Sequence, residues 1–282
     1  IVEFVVHAPL IAKSPRAGQF VRVLGWDKGE FIPLTLADWD AGQGTIDLVI
    51  QNLGSSSMKI NQMEVGDVIS GIAGPLGLPS QLHPYDNGET VVFTAGGVGL
   101  PPVYPIMREH LRMGNHVTLI SGFRSRDLMF WAGADERIGL LQAGYPDLLD
   151  VIYTTNDGSF GIDGFVTGPL ETMLQNRKAG IGRPVGEVVT IGPPMMMRAV
   201  SDLTIPYGVK TVASLNSIMV DATGMCGACM VPVTLDGKMV RKHACIDGPE
   251  LDAHIIDWDK FLPRFLQFRK QEDENKSRHR LD

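Results

Sequence analysis

The sequence predicts a small antiparallel β-barrel, then an α/β region built on a parallel sheet, then a short hairpin module that carries cysteines. Three observations point there. Short β-rich runs bounded by glycine or aspartate recur through residues 1 to 84, a strand-then-helix alternation begins at Thr90, and all three cysteines lie between residues 226 and 245.

The barrel rests on "GQFVRVLG", "FIPLTLAD", "GTIDLVIQNLG" and "VGDVISGIAG", runs rich in β-branched and aromatic residues. Within them, Pro33, Leu34 and Thr35 offer backbone groups and a hydroxyl suited to a flavin ring. The stretch "GSSS", with Gly54, Ser56 and Ser57, opens a short helix whose amides suit a pyrophosphate. Read singly, each is an ordinary strand end or N-cap. The proline-, glycine- and polar-rich segment 77–89 marks a boundary, so residues 1–84 form the first domain.

From residue 85 to 213 the pattern is that of a nucleotide-binding α/β domain. "TVVFTAGG" is an apolar run ending in glycines, "VYPIMREHLRM" fits a helix stopped by Gly114, and "HVTLISGF" is the next strand. "DVIYTT", a helix near 166–177, "EVVTIGPP" and a helix from Met195 to about Leu203 continue the alternation. Gly96, Gly97 and Gly99 follow the first strand and remove side chains that would keep a phosphate from the amides; close packing is the competing reason for them. Arg124 and Arg126 in "GFRSRD" are candidates for ribose or phosphate, or are simply solvated. Asp157 in "NDGSFG" and Gly192 in "GPPMMM" also follow strands, where parallel sheets bind their ligands.

Residues 214–256 hold the cysteines. "DG" at 236 and 237 predicts a two-residue hairpin turn that sets Leu235 opposite Lys238 and Cys245 opposite Ala228, so the three thiols converge. An odd number of thiols in one window argues against a disulfide framework. Their spacing is Cys226-x2-Cys229-x15-Cys245, and Asp221 stands where plant-type [2Fe-2S] proteins carry a further cysteine. Three thiolates and the Asp221 carboxylate make a possible ligand set, with Asp221 as a solvated loop residue the plainer reading. A structural zinc on the three cysteines with His243 or His254 is the rival. Residues 257–282 read as an amphipathic helix, "DWDKFLPRFLQFRKQE", with Pro263 expected near its first turn, and a polar tail.

Composition narrows the classes. Hydrophobic residues at 44% and charged ones at 20% fit a soluble globular chain, and the longest uncharged stretch is too broken by glycine and proline to span a membrane. A net charge of -7 argues against broad nucleic-acid binding. No charged-then-apolar start is seen, and the cytoplasm is the expected compartment.

Taken together, "IPLTLAD", "GPLGLP", "GGVGLPPVYPI", "GFRSRDLMFW", "NDGSFG", "IGPPMMM", "SLNSIMVDATGMCGAC" and "HACIDGPELDAH" resemble the ferredoxin reductase-like electron-transfer subunits. The likeness runs over essentially the whole chain and is nearest to the small-subunit family of NADH-dependent ferredoxin:NADP oxidoreductase and sulfide dehydrogenase. It implies FAD between barrel and nucleotide domain, NAD(H) beside it, and one [2Fe-2S] cluster. Carried over by position, Pro33, Leu34, Thr35, Ser56, Ser57 and Gly74 would face FAD, and Gly97, Gly99, Asp157 and Gly192 the nicotinamide nucleotide. The family usually has a basic residue just before Ile-Pro-Leu-Thr, where Phe31 stands here, and the related dihydroorotate dehydrogenase subunit has a thiolate at the place of Asp221. The implied activity is hydride exchange between NAD(H) and FAD and single-electron passage through the cluster, with no protein acid or base. The implied partner is a larger NADP-binding subunit with its own FAD and [4Fe-4S] clusters, serving ferredoxin and performing electron bifurcation. The alternatives are a subunit of a dihydroorotate or sulfide dehydrogenase, or a zinc-stabilised nucleotide-binding module.

Overall fold

The structure is a computed structural model that describes residues 1–86, 88–266, 271 and 274. The first residues form β1 (Val2–His7), a turn of helix α1 (Pro9–Ala12), β2 (Phe20–Leu24), β3 (Phe31–Thr35), β4 (Asp38–Asp40), β5 (Thr45–Ile50), helix α2 (Ser55–Ile60) and β6 (Gly71–Leu76). They pair antiparallel in two three-stranded sheets, β1-β5-β4 and β3-β2-β6. Strict alternation explains the pleat: "TIDLVI" turns Ile46, Leu48 and Ile50 inward. Val21 and Val23 of the other sheet and Ile60 of α2 meet them in a single core. The expected barrel is thus two small sheets closed around common apolar side chains.

The second set is β7 (Thr90–Gly96), α3 (Leu100–Arg112), β8 (His116–Phe123), α4 (Arg137–Gly144), β9 (Leu149–Thr155), β10 (Ile162–Asp163), α5 (Thr167–Ala179), β11 (Val185–Ile191), α6 (Pro194–Thr204) and β12 (Lys210–Ser214). Strand β7 is buried along its whole length, as a central parallel strand covered on both faces must be. Further on come β13 (Met230–Leu235), β14 (Lys238–His243), β15 (Glu250–Asp252) and α7 (Trp258–Leu266). The large sheet runs β10-β9-β8-β7-β11-β12-β15, parallel except for β15, which pairs antiparallel with β12.

The chain divides into two compact units. One holds residues 1–79, 216–249 and those described from Ile255 on; the other holds 80–215 and 250–254. Residues 216–249, with every cysteine, therefore belong to the same unit as the barrel strands. Helix α7 starts where Asp257 Oδ1 accepts the Lys260 amide at 3.1 Å. Pro263 falls inside this helix rather than in its first turn. Against the one backbone bond it removes stand the edge-to-face contacts of Trp258 with Phe261 and of Phe261 with Phe265. The continuation of the helix through "QFRK" and the polar tail beyond Glu274 lie outside the described residues.

The parallel unit also buries charge. Glu187 on β11 is 2% exposed and is met by Lys210 at 2.8 Å and by the Tyr85 hydroxyl. At the other end of β12, the Ser80 hydroxyl donates to Glu250 at 2.6 Å, and burial pushes the Glu250 carboxyl up to about 7 against the pull of that bond. The folded carboxyl keeps its proton up to about 7, whereas the unfolded one ionises near 4.5. The folded state thus binds more protons over that window, and stability falls as pH rises through it. Denaturant titrations at both ends should show the wild type losing up to roughly 3 kcal/mol relative to Glu250→Gln. Parallel pH profiles for the two proteins would contradict the assignment.

Candidate functional site

The hairpin forms as its turn residues require. Asp236 and Gly237 take φ of +50° and +72°, Leu235 faces Lys238, and Met230 faces His243. The same register continues past the strands, where the Ala244 amide donates to the Cys229 carbonyl at 3.1 Å. Cys229 and Cys245 consequently lie with their Sγ atoms 3.1 Å apart, each 2% exposed. Burial pushes the Cys245 thiol up to about 12, with the Cys229 thiol adding to the effect and the Gly224 amide opposing it.

Asp221 and Cys226 form a second pair. The Asp221 carboxylate accepts the Thr223 amide at 2.8 Å and the Cys226 amide at 3.1 Å, and lies in hydrogen-bond reach of the Cys226 thiol. These bonds, the Thr223 amide first, hold it below the usual carboxylate range. Cys226 is exposed, and none of the three thiols is in a disulfide. Among the described residues no group of three His, Cys, Asp or Glu side chains gathers as a metal site. The four donors stand as two pairs. His254, one zinc candidate, has its Nε2 at 2.9 Å from the Thr204 hydroxyl, and the amide of His243 is held by Asp247 at 2.7 Å.

In the barrel strands, Pro33, Leu34 and Thr35 lie along β3, each partly open. Ser57 Oγ accepts the amides of Leu53 and Gly54, both at 3.0 Å, so its hydroxyl closes the helix start, while Ser56 is buried. A side chain on Gly74 would meet Val21 at 2.8 Å, which makes this glycine a packing requirement between β6 and β2. At Phe31 the Arg22 guanidinium lies 4.5 Å over the ring and donates to the Val220 carbonyl at 3.2 Å. No pattern in the sequence marked Arg22, because its role depends on which strand pairs with β3.

At the carboxyl ends of the parallel strands the glycines divide. Gly99 would place a Cβ 2.1 Å from the Ile191 carbonyl oxygen, and Gly192 one 2.7 Å from Met196, so both let β7 and β11 close together. Gly97, at φ +52°, faces open space. Four neighbouring strands carry a buried hydroxyl near this end with no partner among the described residues: Thr94, Ser121, Thr154 and Thr190. Two loops meet there, where the Arg126 amide donates to Ser159 Oγ at 2.8 Å and that hydroxyl donates to Asp157 at 2.6 Å. The Arg126 guanidinium lies over Phe160, and Arg124 is exposed. Ser159 was not marked by the sequence, although serine two residues after aspartate is a common turn partner.

Comparison with known proteins bears on both regions. The iron-sulfur cluster binding domain of dihydroorotate dehydrogenase B matches residues 216–257. A Thermotoga maritima homolog of the dihydroorotate dehydrogenase B (NAD(+)) electron transfer subunit is 37% identical over 96% of this chain and 88% of its own. A Methanocaldococcus jannaschii protein with the same probable function is 26% identical over 93% of this chain and 92% of its own. Among solved structures, one from work on flavin-based electron bifurcation by NADH-dependent reduced ferredoxin-NADP oxidoreductase superposes with a TM-score of 0.83 at 33% identity, covering 98% of this chain and 92% of that one. The cytochrome b5 reductase domain of Ulva prolifera nitrate reductase, at 18% identity and a TM-score of 0.53 over 75% of this chain and 89% of its own, shares the ferredoxin reductase-like fold.

The division among the glycines can be measured. Gly99→Ala should cost upwards of about 3 kcal/mol in denaturant unfolding, because its methyl meets backbone that cannot yield. Gly97→Ala should cost about 1 kcal/mol, the strain of its backbone alone. Equal losses would contradict the packing assigned to Gly99.

Proposed function

The chain belongs to the family of dihydroorotate dehydrogenase B-type electron transfer subunits, and from that premise we propose that it passes electrons between NAD(H), FAD and a [2Fe-2S] cluster. The observation that carries this reading is the arrangement of Asp221 with Cys226 and of Cys229 with Cys245. A two-iron cluster takes two protein ligands on each iron, whereas a mononuclear zinc asks for four at one centre. The donor set therefore fits the cluster better than the zinc alternative.

FAD supplies the junction chemistry, because a flavin exchanges a hydride on one side and single electrons on the other. Pro33, Leu34 and Thr35 of β3 would hold its ring, and Gly54 with Ser56 and Ser57 at the start of α2 would lie along its phosphates, Ser57 by keeping that start closed. Gly74 would contribute through the close packing of β6 on β2 beside these strands. Gly97 leaves room for the nucleotide phosphates, Gly99 and Gly192 set the strand ends that frame them, and Asp157 with Arg124 and Arg126 would meet the ribose side. None of these groups needs to move a proton; they position.

As a subunit, the chain needs a partner to take up its electrons. The exposed edge of the cysteine segment, with Met225 at 87% and Val220 at 60% exposure beside Cys226, is the natural exit. The partner of this reading is a larger NADP-binding subunit with its own FAD and [4Fe-4S] clusters, reaching ferredoxin through the complex. Its support is the likeness to the bifurcating oxidoreductase chain over nearly the full length. A partner that oxidises dihydroorotate is the second reading, favoured by the match at 216–257. No helix among the described residues is long and apolar enough to cross a membrane, and the free thiols suit the reducing cytoplasm.

Protein purified without oxygen should contain one FAD and two irons per chain. Asp221→Ala should keep the flavin while its cluster becomes labile, read as faster loss of visible absorbance in air. Zinc in place of iron, or an Asp221→Ala cluster as durable as the wild type, would contradict the ligand assignment.

A further inference from the structure

The family match ends at residue 257, yet a side chain beyond it reaches into the cysteine loop. Arg264, on α7, donates from its guanidinium to the Ala228 carbonyl at 3.2 Å. Ala228 lies between Cys226 and Cys229, and its carbonyl shares a peptide group with the Cys229 amide. The helix that carries the arginine is itself anchored. Phe261 anchors the helix in the core at 1% exposure, its ring edge against Phe265 at 5.1 Å, and Asp257 caps the helix start. Ser217, Ala228, Met230, Phe261, Arg264 and Phe265 line one small pocket, in which the Ser217 hydroxyl is buried without a partner among the described residues.

Two features give this contact more than a packing role. No ion pair joins Arg264 to a carboxylate among the described residues, where its guanidinium is spent on the Ala228 carbonyl. Half-buried beside the loop, the charge is screened less than one in open water. A hydrogen bond to a carbonyl also polarises the N–H of the same peptide, here the Cys229 amide.

We propose that Arg264 is a positioning residue that fixes the Cys226–Cys229 loop and raises the reduction potential of the cluster the loop holds. The inference rests on the cluster reading given above. One-electron reduction adds a negative charge to the cluster, and a fixed cation beside its ligand loop favours the reduced form, as do amide dipoles turned toward its sulfurs. Arg22 makes a similar contact at the other end of the segment, on the Val220 carbonyl, but its guanidinium is laid over Phe31 and outside the span between the thiols.

The test is a mediated dithionite titration of the anaerobically purified full chain, followed by visible absorbance and paramagnetic resonance, for wild type, Arg264→Gln and Arg264→Lys. The expected result is a midpoint potential shifted downward in Arg264→Gln and close to wild type in Arg264→Lys, which keeps the charge. If Arg264→Gln sheds its cluster, retention in Arg264→Lys supports the dependence on a cation, and equal loss from both overturns it. An Arg264→Gln potential equal to that of a cluster-bearing wild type overturns the inference alone. A wild type without a cluster overturns the underlying reading and the inference with it.

Discussion

The side-by-side burial of Cys229 and Cys245 is the contact on which the cysteine segment depends. Two sulfurs 3.1 Å apart and nearly closed to solvent are brought there by a turn of two residues and by strands whose buried Val231 and Val233 hold the same register. A turn one residue longer would shift the register and send Cys245 to the other face of the hairpin. With that pair fixed, the loop before it has little freedom. Gly224 packs directly under Ile246, where a side chain would stand 2.6 Å from it, and the loop closes on itself through the Asp221 carboxylate. The burial that raises the Cys245 pKa is also what a metal would relieve, because a coordinated thiolate needs no proton.

The parallel unit solves a different problem, that of bringing strand ends together while leaving room above them. Gly99 and Gly192 are spent on backbone closeness between β7 and β11, and of these three glycines Gly97 alone looks onto free space. Beneath, the buried hydroxyls of Thr94, Ser121, Thr154 and Thr190 give the carboxyl ends a polar floor. At the amino ends, Glu187 is fastened by Lys210 and Tyr85, so the buried charge there has its partners and stays clear of the loops that would handle a nucleotide.

Much of this was legible in the residues. The period of the strands, the change to strand-helix alternation at Thr90 and the Asp236-Gly237 turn are local signals, and each element appeared where its signal stood. The pairing of Cys245 with the Cys229 end of the loop followed from arithmetic on that turn. What the sequence withheld depends on distance in space. Gly97 and Gly99 read alike along the chain and differ only in what faces them, an open surface or the Ile191 carbonyl. The contact of Arg22 with the Phe31 ring was hidden because it joins adjacent strands. Pro263 read as a first-turn residue because a proline rule carries no knowledge of the aromatic packing that holds α7. Arg264 sat unremarked in "FLPRFL", although a charge set among apolar residues on a helix was the one visible hint.

The central claim is that two unlike donor pairs, one of sulfur and carboxylate and one of two sulfurs, hold a two-iron cluster. Mössbauer spectroscopy of the oxidised, iron-57-enriched protein tests it most directly. The account predicts two quadrupole doublets of equal area, one for iron with all-sulfur coordination and one for iron that also carries an oxygen ligand. A single doublet, or iron absent with the thiols still free, would contradict it.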